Sequence, residues 1–314
     1  MLEDVLGWLR CPVCHGSLTR ADRTVGCATG HSFDIARQGY VSLLPPGAAG
    51  SRGDPAPMVA ARKDFLAAGH FAPIATALAA AAAEGGATPA ETNVTPAETS
   101  ATTAGTSATA AETGAAGPGG LACVADVGAG TGYYLAAVLD RLPGHAGLAM
   151  DLSRYALRAA TLAHPRIGAV GADAWRRLPV ADGAAALVLD VFAPRDGAEL
   201  RRILRPEGRL LVVTPRPEHL AELIGPLGLL RVDDRKAERL AGTLGPYFEV
   251  TGEHEVRAPM ALDHRSAAAL AAMGPSAWHT VAAETRARIS GLPDPVLVTL
   301  AVTVSVLRPR PRLR

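Results

Sequence analysis

The sequence predicts an α/β protein, a doubly wound parallel sheet of the Rossmann type preceded by a small cysteine-rich module. Two observations carry this. After Leu121, short apolar runs alternate with helical patterns, the rhythm of strand–helix–strand units. Ahead of them, three cysteines and a histidine fall within residues 11–31. The chain has 314 residues, 48% hydrophobic and 19% charged, which suffices for one large core and a small module and excludes wholesale disorder or a fibre. The expected division is a module over residues 1–50 and an α/β domain over 51–314, interrupted by an insertion over 84–120.

In the first module, Cys11-Pro-Val-Cys14 is followed after twelve residues by Cys27 and after three more by His31. Two thiolates spaced in this way on a tight turn grip one Zn²⁺, and a second half-site completes a tetrahedron. His15 is the rival fourth ligand, but it adjoins Cys14 and would reach the same ion only under strain, which favours His31. Gly16, Gly26 and Gly30 sit where the turns need positive φ. Four protein ligands leave no open position, so the predicted zinc is structural.

A helix-like apolar run spans 65–83. Residues 84–120 lack any aliphatic period and contain TPAET twice, from Thr88 and from Thr95, so a disordered linker is expected there. Glu84, Glu91, Glu98 and Glu112 lie in this segment with no basic residue. Of 31 basic and 30 acidic residues, the remainder therefore holds 31 against 26, a modest excess available to a polyanion such as nucleic acid. No stretch reaches the roughly 18 apolar residues of a membrane span. Residues 1–10 lack the apolar run of a signal peptide. A cytoplasmic protein with no membrane partner is expected.

Strands are expected at 123–127, 147–150, 168–171, 186–191 and 209–214, with helices at 133–141, 154–163 and 198–204 between them. The runs 246–256 and 295–307 suggest a closing antiparallel pair. Directly after the first strand stands Asp126-Val-Gly128-Ala-Gly130-Thr131-Gly132, where glycines let the backbone approach a ligand and the next helix points its positive end at it. The spacing is GxGxG, whereas a dinucleotide loop is usually GxGxxG. Asp151 ends the second strand, placed to bond ribose hydroxyls, and Asp173 follows the third at the height of an adenine amino group. Together these favour S-adenosylmethionine over NAD. At the end of the fourth strand, Asp190 could accept a proton, and Phe192 with Pro194 could wall a flat acceptor base; the plainer alternative is that Phe192 is core and Asp190 caps a turn. Cys123 reads as core packing.

With these features in hand, the chain resembles the bacterial 23S rRNA (guanine-N1)-methyltransferases. The strings are CPVC…C…GHSFDIARQGYVSLLP, GDPAPMVAARKDFLAAGHF, DVGAGTGYY, TPRPEHL and MGPSAWH, covering most of the chain outside the linker. The resemblance implies a class I S-adenosylmethionine-dependent methyltransferase sheet behind a zinc ribbon. It also implies methyl transfer to guanine N1 in a domain II hairpin of 23S rRNA, in some members giving resistance to tylosin-type macrolides. By matching strings it implies zinc ligands at Cys11, Cys14, Cys27 and His31, and methionine-end contacts at Phe71, Gly130, Thr131 and His219. Phe71 stands where the motif has tyrosine, which removes a hydroxyl and keeps an aromatic wall. On this reading Asp190 takes the N1 proton, the flipped base lies against Phe192 or Trp278, and Arg10, Arg20, Arg23 and Arg37 grip the RNA backbone. A homodimer is compatible with the sequence. The competing functions are a methyltransferase for a quinone or antibiotic precursor and a non-enzymatic, cofactor-binding rRNA adaptor.

Deleting residues 86–117 should leave folding and activity nearly unchanged, because loop length alters closure free energy only weakly. Loss of either in the deletion variant, measured by thermal melting and methyl incorporation, would make the segment a working part.

Overall fold

Alternating side chains along residues 122–127 go to opposite faces of a sheet, Val124 into one apolar layer and Cys123, Ala125 and Val127 into the other. The computed structural model, which describes residues 2–45, 53–84, 120–231, 236–274 and 282–311, builds outward from this strand. The N-terminal elements are α1 (Leu2–Leu6), β1 (Leu18–Ala21), β2 (Thr24–Cys27), β3 (Ser32–Asp34) and β4 (Val41–Ser42). Two helices follow, α2 (Ala56–Ala67) and α3 (Ala72–Ala83). The doubly wound region comprises β5 (Ala122–Val127), α4 (Tyr133–Arg141), β6 (His145–Asp151), α5 (Arg154–Ala163), β7 (Ile167–Gly171), β8 (Ala185–Val191), α6 (Gly197–Ile203) and β9 (Leu204–Pro215). The chain closes with α7 (Ala221–Leu227), α8 (Lys236–Leu244), β10 (Phe248–Leu262), α9 (His264–Met273), α10 (Ala282–Ser290) and β11 (Val296–Pro309).

Among the described residues, eight strands form one sheet in the order β10-β11-β9-β8-β5-β6-β7-β4. Strands β9, β8, β5, β6, β7 and β4 run parallel, and β11 and β10 complete the expected antiparallel end. The chain proceeds from β5 to β6 and β7, then returns to place β8 on the other side of β5. The gap between β5 and β8 is thus the topological switch point, where ligands bind outside the carboxyl ends of strands. Local chemistry starts the helices: Ser153 caps α5 by accepting the N–H groups of Tyr155 and Ala156, and Asp196 caps α6 by accepting those of Ala198 and Glu199.

Two expectations change. The run 65–83 is not one helix, because α2 ends at Ala67 and α3 begins at Ala72, with a 79° bend between them. Gly69 adopts φ +81°, a left-handed turn that ends the first helix and frees Phe71 to enter the centre of the molecule. The N-terminal module is also joined to the α/β domain. Val41 and Ser42 pair in parallel with Val170 and Gly171, and Leu2, Val5, Trp8, Leu9, Leu18 and Val25 share one apolar layer with β5, β6 and β7. The boundary near residue 50 and the linker 84–120 fall largely outside the described residues. Among the described residues no single helix is long and apolar enough to cross a membrane.

Candidate active site and metal centre

β1, β2 and β3 form a small antiparallel sheet that brings the two halves of the Cys/His set together. The ligand atoms of Cys11, Cys14, Cys27 and His31 all lie within 4.8 Å of one another. Cys14 Sγ and Cys27 Sγ are 3.6 Å apart, and His31 Nδ1 is 3.6 Å from Cys11 Sγ and 3.3 Å from Cys27 Sγ. Zn–S bonds near 2.3 Å and Zn–N bonds near 2.0 Å give tetrahedral edges of about 3.5–3.8 Å, so the donor set fits Zn²⁺. The positive φ expected at the glycines falls on His15 (φ 59°) and Gly30 (φ 90°), not on Gly16 or Gly26. His15 therefore makes the turn and His31 stands among the thiols. Thr29, which the sequence reading missed, places Oγ1 3.1 Å from Cys14 Sγ, 3.0 Å from Cys27 Sγ and 3.1 Å from His31 Nδ1. Its hydrogen bond is the main cause holding the Cys27 thiol down at about 5, and the Cys14 thiol is lowered for the same reason. Burial pushes Cys11 up, and bonds from Cys14 and Cys27 raise His31.

At the switch point lies a cavity of about 530 Å³, within the range of small-molecule sites. Asp126, Gly128, Gly130, Thr131, Asp151, Asp173 and Phe71 line it. Gly128 (φ +72°) passes so close to the loop after β8 that a Cβ would lie 2.7 Å from Ala193 Cβ. At Gly130 (φ +54°) only the Arg62 side chain is near, at 3.6 Å, which leaves backbone free to face a ligand. Gly132 corrects its expected role. A Cβ there would meet Ala160 at 3.1 Å, so this glycine permits α4 to pack on α5 and does not line the cavity.

Asp151 accepts the Gly130 N–H at 2.9 Å and the Ser153 N–H at 2.7 Å, one on each oxygen. Carboxylate oxygens each have a second lone pair, which suits them to a ligand diol. Burial raises the Asp151 pKa, while the Ser153 and Gly130 amides oppose that shift. Asp126 is pushed well above the ordinary carboxylate range by burial first, then by Asp190 and Asp151. Asp173 accepts the Trp175 N–H at 3.0 Å and lies 3.5 Å from Arg176 Nε.

Residues 53–66 cover this floor, a role unassigned by sequence although the string containing it stood out. Gly53 approaches Ser153 so closely that a Cβ would lie 2.4 Å from its nitrogen. Ser153 Oγ donates to the Asp54 carbonyl at 2.6 Å, the Asp54 carboxylate pairs with Arg62 at 2.6 Å, and Arg62 donates to the Met273 carbonyl at 3.0 Å. A glycine–acid pair before a helix with an inward arginine is the signal that could have found them.

The aromatic wall is built from three distant segments. Phe71 lies 6.3 Å from the Phe192 ring and 5.9 Å from that of His219, and Phe192 stacks on His219 at 6.1 Å and 19°. His219 Nδ1 accepts the Ala301 N–H at 3.3 Å, so its neutral form carries the proton on Nε2. The ring backs the wall and is not among the cavity-lining groups. Phe192 has φ +55°, strained for a bulky residue, which turns it toward the cavity.

Asp190 is not where a proton acceptor needs to be. It is fully buried, does not line the cavity, and pairs with Arg195 at 2.9 Å. Arg195 also donates to the Ala193 carbonyl at 3.2 Å. The pair thus staples both ends of the turn that carries Phe192. Trp278, the other expected wall residue, lies outside the described residues.

Residues 9–52 match the zinc-ribbon family model described as RlmA, N-terminal. Solved structures with a partial likeness include the MccD protein (TM-score 0.41, 15% identity, 60% of this chain and 90% of that one). Another is a Geobacter sulfurreducens S-adenosylmethionine-dependent methyltransferase (TM-score 0.39, 19% identity, 60% and 85%). The glycine loop, the carboxylates after β6 and β7, and the antiparallel end of the sheet define a class I S-adenosylmethionine-dependent methyltransferase with an N-terminal zinc ribbon. The chain is 45% identical over 313 residues to the 23S rRNA (guanine(748)-N(1))-methyltransferase of Streptomyces fradiae, with 99% of this chain and 100% of that protein covered. A Micromonospora griseorubida protein described as a 23S rRNA (guanine-N1)-methyltransferase is 49% identical over 313 residues, with 98% and 100% covered. The chain belongs to the 23S rRNA (guanine-N1)-methyltransferase family.

Two outcomes follow from the geometry. The purified protein should hold one zinc per chain, and Cys14→Ser should release it and lower the melting temperature of the whole chain, since ribbon and sheet share an apolar layer. Stoichiometric zinc in that variant would exclude this ligand set. Asp190→Asn leaves Arg195 without its partner and should cost about 3–5 kcal/mol of stability in denaturant titration, while the acidic limb of the pH–rate profile stays. A missing limb would restore Asp190 as the proton acceptor.

Proposed function

We propose that the protein transfers the methyl group of S-adenosylmethionine to N1 of a guanine in 23S rRNA. The observation that carries the reading is the cavity at the switch point, where the glycine loop meets Asp151 and Asp173 at the ends of adjacent strands. When bound, the cofactor supplies an electrophilic methyl group on a sulfonium centre. Asp151 would hold the ribose hydroxyls on its remaining lone pairs, Asp173 the adenine edge, and the Gly130 carbonyl with the Thr131 amide the amino-acid end beside Phe71.

The residues of the chain then have three tasks. They align the acceptor nitrogen with the methyl group, which is the main source of rate in such a displacement. They hold the target base out of its stack, for which Phe71 and Phe192 offer aromatic faces to the cavity with the His219 ring behind them. They let the N1 proton leave, a step for which a placed acceptor contributes roughly 10²- to 10⁴-fold. On the ribbon, Arg23 and Arg37 are exposed, Arg20 is exposed in a pair with Glu3, and Arg10 is half-buried, and these would meet the RNA backbone. With ribosomal RNA as substrate, the site of action is the cytoplasm. The name of the Streptomyces fradiae relative supports guanine 748 as the target, and the domain II hairpin and tylosin-type resistance belong to this same reading.

Incubating unmodified 23S rRNA with the protein and labelled cofactor should yield labelled rRNA and a reverse-transcriptase stop at one guanine, because N1 methylation blocks pairing. Label in a quinone extract and none in rRNA would favour a small-molecule acceptor. Asp151→Ala should weaken S-adenosylmethionine binding by about 10- to 150-fold in calorimetric titration, the loss of a charge-assisted hydrogen bond. An undiminished affinity would remove Asp151 from the cofactor site.

A further inference from the structure

The loop after β7 carries the most exposed aromatic side chain among the described residues. Trp175 is 70% exposed at the rim of the cavity, and Arg176 and Arg177 beside it are each 52% exposed. An exposed indole is unusual in a protein with abundant apolar core, and this one is not on a loose loop. On its N-terminal side Asp173 accepts the Trp175 N–H, and the Arg176 N–H donates to the Asp173 carbonyl at 3.0 Å. On its C-terminal side Leu178 and Val180 are buried. The Leu178 N–H donates to Glu199 at 2.6 Å, and Arg202 donates to the carbonyls of Leu178 at 3.0 Å and Val180 at 2.7 Å.

The same loop is joined to the zinc ribbon. Leu9 bridges Val180 in antiparallel fashion, the Arg10 N–H donates to the Pro179 carbonyl at 2.9 Å, and the Ala181 N–H donates to the Trp8 carbonyl at 2.8 Å. A fixed rim therefore runs from Arg10 on the ribbon to the cavity mouth, with Trp175 near its end. Both neighbouring guanidiniums are held only loosely, Arg176 at 3.5 Å from Asp173 and Arg177 at 3.7 Å from Asp182. The Arg177–Asp182 pair is exposed on both sides and contributes little, and Arg176 keeps half its surface in solvent although Asp173 is buried. A solvent-facing ring on a fixed backbone, flanked by half-exposed guanidiniums, is the chemistry that stacks an unpaired base and neutralises the adjoining backbone.

We propose that Trp175, Arg176 and Arg177 form a platform for an unpaired nucleotide of the substrate RNA neighbouring the target guanine. This rests on the rRNA reading above and deepens it. The platform and the target pocket are different places. Trp175 follows β7 and Phe192 follows β8, and in the strand order these are three steps apart, about 14 Å at the usual inter-strand spacing. One base cannot touch both, but a splayed single strand can place a base at each.

The test uses the full-length protein, an unmodified 23S rRNA transcript and S-adenosylmethionine. Trp175→Ala should raise KM for the transcript by about 5- to 150-fold, the range of one base–aromatic stack, with the loss falling on KM and not on kcat. Trp175→Phe should recover most of it. Arg176→Ala combined with Arg177→Ala should weaken transcript binding and make the salt dependence shallower by up to about two phosphate contacts. Wild-type KM in Trp175→Ala overturns the platform. So does a matching loss of S-adenosylmethionine affinity in calorimetry, which would make the ring a cover for the adenine end. If the wild-type protein does not methylate the transcript at all, the rRNA reading fails first, a result separable from both.

Discussion

The carboxylate of Asp151 is the knot on which the site depends. By taking the N–H groups of Gly130 and Ser153 it fixes the glycine loop against the end of the second strand before any ligand arrives. Ser153 passes the constraint to Asp54, Asp54 to Arg62, and Arg62 to the end of α9 at Met273. Four segments far apart in sequence are thereby locked around one cavity. Burial raises the Asp151 pKa, and the two amides counter part of that cost by favouring its charged form.

The zinc ribbon is built into this arrangement. Its strand β4 extends the sheet beside β7, and its apolar residues complete the layer beneath β5 and β6. Metal binding in the ribbon therefore bears on the stability of the sheet as well as on its own loops. Residues 53–54 pack directly on the Asp151 network through Ser153.

Much of this was legible in the sequence, for identifiable reasons. Strands β5 to β8 and helices α4 and α5 fall within a residue or two of expectation, because their apolar periods are clean and Ser153 is a clear cap. The break between α2 and α3 was hidden by alanine, which packs on any face and carries no period; Gly69 after α2 and Pro73 in the first turn of α3 were its marks. β4 is two residues long, too short for any pattern. Asp190 was misjudged by parity. Leu187, Leu189 and Val191 enter one apolar layer and Val188 the other, so Asp190 points with Val188 away from the wall that Phe192 joins. The approach of Phe71, Phe192 and His219 could not be read at all, since nothing local relates three segments that meet only through the sheet.

Strand order has one more consequence, which concerns the borders of the sheet. An open sheet ends in strands with unpaired N–H and C=O groups, and such borders template aggregation. On one side the border strand of the parallel region, β7, is covered by β4, so the ribbon shields it as well as carrying metal. On the other side β10 is itself the border among the described residues. It bears Glu249, Glu253, Glu255 and Arg257, a bulge between Val250 and Gly252, and Pro259, which offers no N–H. Charge, irregularity and proline are the features that keep a border from recruiting a second chain. A chain trimmed of its ribbon would keep the defended border and lose the covered one, leaving β7 as a bare, apolar template for self-association.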